Sequence, residues 1–187
     1  SRALTEGTTP TDYQNFRYDR GNQDGIRRHY AVTNYIYDLP FGRGRRWLSG
    51  VNGVAARIVG GWQVAGIATL GTGTPYSVAF TPTLQGWRTS RASYTGSAAD
   101  ADPDERSIDR WFNPAAFRQP EPFTFGNTAR NAFFSPNIVI WDAAVFKHTP
   151  ITERLNSSLR IEFFNLPNRA NFSVPQSNIS VPGTVGQ

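Results

Sequence analysis

Residues 155–164, LNSSLRIEFF, alternate apolar and polar side chains, and that alternation constrains the fold more than any other stretch of the chain. In an extended backbone successive side chains point to opposite faces. Leu155, Leu159, Ile161 and Phe163 therefore gather on one side, and Asn156, Ser158, Arg160 and Glu162 on the other. A helix of the same residues would scatter both sets around its circumference. Upstream, NIVIWDAAVFK at residues 137–147 reads as a partner strand, with Val139, Trp141, Ala143 and Val145 on one face and Asp142 on the other. The intervening HTPITE, residues 148–153, is close to hairpin length. A turn centred near Ile151 sets Asp142 opposite Arg160 and predicts a cross-strand ion pair on the polar face.

Two further strands precede this hairpin. HYAVTNYIYD, residues 29–38, is rich in the β-branched and aromatic residues that suit a pleated surface. IVGGWQVAGIATL, residues 58–70, places Trp62, Val64, Gly66, Ala68 and Leu70 on one face and Gln63, Ala65, Ile67 and Thr69 on the other. Its glycines argue against a helix, since each costs about 1 kcal/mol relative to alanine in a helix interior. The link from this strand to the hairpin is of another kind. Residues 71–136 form one long loop rich in Pro, Ser, Thr, Gly and Asp. A structureless loop of that length counts against a compact soluble domain. Neither an internal repeat nor a heptad pattern is present.

Composition narrows the class. With 39% hydrophobic and 13% aromatic residues the chain is too apolar to be disordered. Its 17 glycines and 13 prolines suit strands broken by turns. There is no cysteine, hence no disulfide framework and no thiolate metal site. Methionine is also absent, even at position 1, so the chain is expected to begin after a processing or cloning cut. No stretch approaches the roughly 20 apolar residues of a membrane helix. The net charge of +5 comes mostly from arginines scattered along the chain, as on a solvated surface. The expected fold class is all-β and antiparallel, a single segment over residues 1–187.

Four motifs then carry a resemblance. In order they are YDLPFGRGRR, GGWQ followed two residues later by GI, GTPYSV, and EFFNLPNRANF. Their order and spacing resemble the C-terminal barrel region of TonB-dependent outer-membrane receptors, in particular the Oar-like group with a carboxypeptidase-regulatory-like domain at its N-terminus. The resemblance covers most of residues 20–180 outside the interior of the long loop. It implies strands of a β-barrel in the bacterial outer membrane, short turns in the periplasm, and residues 71–136 as an extracellular loop. The implied partners are the rest of the barrel and its plug, TonB, outer-membrane lipid, and a small nutrient or oligosaccharide ligand. The plug, the TonB box and the closing strand that ends in an aromatic residue are not among these residues, so the segment reads as an incomplete barrel. Four strands cannot close a barrel, and open edges would leave backbone groups unpaired in hydrocarbon.

Candidate chemistry is sparse. FGRGRRW, residues 41–47, is the densest basic cluster; it would grip phosphates or serve as a solvated turn, and the turn glycines favour the second. No nucleic-acid partner is expected. Asp100, Asp102 and Asp104 have the first spacings of a calcium loop, but Glu105 and Trp111 stand where that loop needs Gly and Glu. His29 and His148 are isolated, and no metal site is expected. No nucleophile elbow, phosphate loop or dinucleotide fingerprint occurs, so no catalytic residue and no cofactor is assigned. Ligand contact is expected from the loop aromatics Trp87, Tyr94, Trp111 and Phe112, unless they fill a small core under the loop. By the resemblance, Asp142, Arg160 and Glu162 are polar residues facing a lumen.

The leading functional reading is part of a TonB-dependent transporter for nutrient uptake, with no bond chemistry. A secreted or surface all-β carbohydrate-binding module is the alternative, supported by the aromatic loop. A polysaccharide-active hydrolase using the same carboxylates is a weaker third.

Overall fold

A computed structural model describes residues 10–86, 90–97, 101–102, 106–181 and 183–187. Along the chain run β1 (Tyr30–Asp38), α1 (Gly53–Val59), β2 (Trp62–Gly71), β3 (Pro75–Tyr76), β4 (Ser93–Tyr94), β5 (Phe117–Arg118), β6 (Phe133–Phe134), β7 (Ile138–Pro150) and β8 (Asn156–Phe163). Among the described residues the fold is all-β and antiparallel with one short α-helix and one 3-10 turn (Pro114–Ala116), and no sheet is closed. Contacts divide the chain into two compact units. The sheet unit comprises His29–Gly71 and Ile138–Asn171, and the loop unit comprises Ser1–Arg28, Thr72–Asn137 and Phe172–Gln187.

In the sheet unit the four predicted strands pair in the order β1-β2-β7-β8. Register puts Tyr35 opposite Gly66 and Gly66 opposite Ala143, so the alternation of each strand adds up across the sheet. One face carries Tyr35, Val64, Trp141, Val145, Leu159 and Ile161. The other carries Asn34, Gln63, Asp142, Arg160 and Glu162, interspersed with Ile36, Ile67 and Phe146. Gly66 has a packing reason. The Tyr35 ring lies across it, a Cβ there would meet the Tyr35 hydroxyl at 2.5 Å, and that hydroxyl accepts a hydrogen bond from Trp141 Nε1 at 3.0 Å. Both outer strands, β1 and β8, leave one edge unpaired among the described residues.

Two sequence expectations change here. The second strand does not begin at Ile58, because residues 53–59 form α1. The break is made by glycine: Gly61 has φ +75°, and a Cβ on it would meet the His148 carbonyl oxygen at 2.1 Å. The extended run therefore starts at Trp62. The predicted Asp142–Arg160 ion pair does not form. Strand β7 continues to Pro150, and the turn closes between Ile151 and Leu155, whose carbonyl accepts the Ile151 N–H at 2.9 Å. Arg160 consequently faces Phe146, and Asp142 lies four positions further along β7, roughly 13 Å away along the strand. The two residues keep the same face, as the alternation requires, but not the same rung.

The described residues of the long loop 71–136 are folded. Two short ladders, β3 with β6 and β4 with β5, frame a core of Tyr76, Val78, Ala92, Phe112, Ala116 and Phe117. Val78 is 0% and Phe112 2% exposed. The Phe112 ring meets Phe117 edge-on at 5.6 Å and Tyr76 at 6.2 Å. Aromatic rings bury large areas and prefer such tilted contacts, which lets a stretch without periodic pattern form a core. Residues 176–187 join it: Ala79 bridges both Arg91 and Asn178, and Gln176 exchanges backbone hydrogen bonds with Gly186 and Gln187.

Candidate functional site

The mixed face of the sheet forms an open groove of about 680 Å³. Its walls come from all four strands, with Asn34 and Ile36 from β1, Ile67 from β2, Asp142 and Phe146 from β7, and Arg160 and Glu162 from β8. Alternation brings these residues together, since every second side chain of four paired strands points the same way. The sequence-predicted residues Asp142, Arg160 and Glu162 all line this groove. Arg160 hydrogen-bonds Glu162, and its guanidinium lies over the Phe146 ring at 5.2 Å. Asp142 accepts the backbone N–H of Asn165 at 2.8 Å. Gln63 donates to Asp38 at 2.7 Å near the end of β1. The groove thus offers apolar surface beside fixed charges that already have partners.

Of the two roles open to the loop aromatics, ligand contact and a small core under the loop, the structure places Phe112 in the second. Phe112 is a core residue and is sealed from ligand. Tyr94 is half-buried, its ring 5.4 Å from Phe117, and burial pushes its hydroxyl pKa up. Trp111 donates from Nε1 to the Phe134 carbonyl at 2.7 Å and carries Arg106 over its ring at 5.2 Å. Trp87 lies outside the described residues. The aromatics that do reach solvent are Phe123 and Phe125, the latter packed against Tyr18 at 5.0 Å.

A polar framework that the sequence did not advertise holds the loop unit together. Asp19 and Arg91 form a largely buried ion pair at 3.0 Å. The guanidinium of Arg91 also covers the Tyr18 ring at 3.7 Å. Burial works to raise the Asp19 carboxyl, but hydrogen bonds from the Thr11 N–H and hydroxyl, with the charge of Arg91, outweigh it and hold the pKa below the ordinary carboxylate value. Asn131, buried at φ +51°, is a second node. Its side-chain amide donates to Asp24 at 2.6 Å and to the Asn22 carbonyl at 2.8 Å, and its N–H donates to the Ser77 hydroxyl at 2.8 Å. The bond from Asn131, opposed by burial and aided by Arg130, holds the Asp24 pKa low as well. An Asn before a small apolar residue was the available signal, since Asn tolerates the left-handed region.

The remaining candidates are quickly placed. Asp102 pairs with Arg106, while Asp100 and Asp104 lie outside the described residues. Among the described residues no cluster of His, Asp or Glu has the makings of a metal site. No helix among them is long and apolar enough to cross a membrane, which says nothing of a β-barrel. FGRGRRW forms an ordered turn: Phe41 and Trp47 bridge with rings 5.4 Å apart, and Gly42 (φ +103°) receives its fold from a bond to the Trp47 carbonyl at 3.0 Å.

The family model described as an outer membrane beta barrel domain matches residues 1–187. No curated protein and no solved structure matches the chain.

Proposed function

The chain belongs to the outer membrane beta barrel domain family and is located in the bacterial outer membrane, and from that premise we propose that it is part of a TonB-dependent transporter for nutrient uptake, similar to the Oar-like group. The observation that supports this most is the asymmetry of the sheet's two ends. One end is closed by the β7–β8 turn and by residues 39–61, while the other leads into the long folded stretch 72–137. Outer-membrane barrels have short periplasmic turns and long extracellular loops. The end bearing the β7–β8 turn therefore faces the periplasm in this reading, and residues 72–137 face the exterior. The mixed face with Asp142, Arg160 and Glu162 lines the lumen, and the apolar face meets lipid. The unpaired edges of β1 and β8 are completed by other strands of the barrel, because an unpaired backbone in hydrocarbon costs several kcal/mol per group. The plug, TonB and a small nutrient or oligosaccharide are the partners.

Growth on a panel of oligosaccharides and metal chelates tests this, comparing the wild-type bacterium, a strain lacking the gene, and a strain lacking TonB. A shared growth defect on one nutrient in both mutants is the expected result. A defect in the gene deletion alone makes the barrel a passive pore and overturns the TonB reading. For the carbohydrate-binding-module alternative, Phe112 packs inward and Trp111 donates to the Phe134 carbonyl, which leaves the exposed Phe123 and Phe125 as its aromatic surface among the described residues.

A further inference from the structure

The connection from β1 to β2 is longer than turning the chain requires, and its composition is distinctive. Arg43, Arg45, Arg46 and Arg57 are all exposed. So are Trp47, Leu48, Val54 and Ile58, the last two above 60%. Val54 and Ile58 are four residues apart and so share one face of α1. A water-facing turn has no reason to display four large apolar side chains.

Where α1 is fastened decides what it meets. Lys147 Nζ donates to the Arg57 carbonyl at 2.6 Å and to that of Gly60, and Trp62 Nε1 donates to the Ile58 carbonyl at 2.9 Å. Lys147 and Trp62 are register partners on the same face as Val64, Trp141 and Val145. α1 is thus tied to the apolar side of the sheet, at the end where the strands turn, and not to the groove side. In an outer-membrane barrel that side contacts lipid, and the end of the strands lies at the level of the head groups. The guanidinium groups of Arg43, Arg46 and Arg57 have no acidic partner among the described residues, and Arg45 has only Asp38, at 3.9 Å. The other ionisable groups at this end are Glu153 and Arg154 in the β7–β8 turn, which offset each other, and His148, whose Nδ1 shares a hydrogen bond with the Ser158 hydroxyl at 3.0 Å.

We propose that residues 39–61 form a binding surface for anionic phospholipid of the periplasmic leaflet. The four arginines take head-group phosphates, and Trp47, Leu48, Val54 and Ile58 enter the acyl boundary. Exposed arginine beside apolar surface is the chemistry of an interfacial helix on an acidic membrane. The inference rests on the face and end assignments of the proposed function, but not on TonB.

The test uses the full-length receptor in lipid nanodiscs of phosphatidylcholine and phosphatidylglycerol, with spin-labelled phosphatidylglycerol as the probe. Selection of the probe over spin-labelled phosphatidylcholine is expected to be about threefold or more at low salt. It should fall to near unity at about 1 M salt, where the screening length is about 3 Å, and in an R43Q/R45Q/R46Q/R57Q variant. If that variant does not insert, single R46Q and R57Q variants carry the test, each losing part of the selection. Absence of selection in the wild type, full selection in the variants, or preference for spin-labelled lipopolysaccharide overturns the inference. Uptake plays no part in the measurement. A receptor that selects phosphatidylglycerol yet imports without TonB keeps this inference and loses the transporter reading, and the converse result does the opposite.

Discussion

The two units treat the same residue types in opposite ways. The loop unit hides Val78, Phe80 and Phe112 almost completely, whereas the sheet unit leaves Leu159 of its apolar face 54% exposed and buries, of its long strands, only Ala144. Every residue of β8 is exposed. The difference is one of solvent. A unit surrounded by water gains about 25 cal/mol for each Å² of apolar surface it hides, so it must find a core even without a regular pattern. A strand of an outer-membrane barrel is surrounded by lipid on one side and gains nothing by hiding its leucines there. Its stability comes from a complete ladder of backbone hydrogen bonds.

The sharpest test of this contrast is Phe112→Ala in the full-length protein. Truncating a buried phenylalanine costs about 3–5 kcal/mol, and the loss should appear as faster amide exchange and proteolysis across residues 72–137, with β7 and β8 unchanged. Equal loosening of β8 would break the division into two separately stabilised units. Next comes Ile161→Arg on the apolar face, expected to lower barrel stability by about 2–4 kcal/mol when denaturant unfolding is followed in lipid vesicles. Ser158→Arg on the opposite face of the same strand should change it little, and equal costs for the two would dissolve the assignment of faces.

Acidity offers a third comparison. Asp19 and Asp24 have lowered pKa values in the folded loop unit. Their contribution is therefore complete above the unfolded carboxylate value of about 3.9 and is lost as pH falls through the lower folded values. Exchange protection of residues 72–137 should decline in that acid range, and Asp19→Asn with Asp24→Asn should be less protected at neutral pH and flatter below. A wild-type profile that is already flat would leave the two ion pairs without weight. The smallest expected effect belongs to Tyr35→Phe. It removes the acceptor of Trp141 Nε1 above Gly66, at a cost of about 0.5–1.5 kcal/mol. A neutral result would mean that the ring's coverage of Gly66, and not its hydroxyl, is what counts.

The four long strands were legible because a period of two survives any error in the exact pairing. Asp142, Arg160 and Glu162 fell on one face for that reason, although the rung was wrong. Register depends on where a hairpin stops, and nothing in HTPITE says that β7 runs on through Pro150. The helix α1 was hidden because seven residues bounded by Gly53 and by Gly60 and Gly61 give no helical period to read. The loop core was hidden for a different cause. Its decisive contacts join residues far apart in sequence, such as the Tyr18 hydroxyl donating to the Gly126 carbonyl at 2.7 Å. Local pattern carries no trace of such pairs, so for aromatics such as Phe112 both a ligand role and a core role stayed open.

The loop unit is also knit from three separate stretches of chain, and this bears on the order of events during biogenesis. The strands β1 with β2, and β7 with β8, pair with near neighbours and can zip early. The loop unit must wait for residues 172–187, because Ala79 bridges Asn178 and Gln176 accepts from Gly186. Contacts of such wide sequence separation are slow to form. The loop unit therefore matures only once the last of these stretches has been delivered, and its protease resistance is a late clock for assembly, with nascent barrels passing through a stage in which the sheet is paired and residues 72–137 are still cleavable.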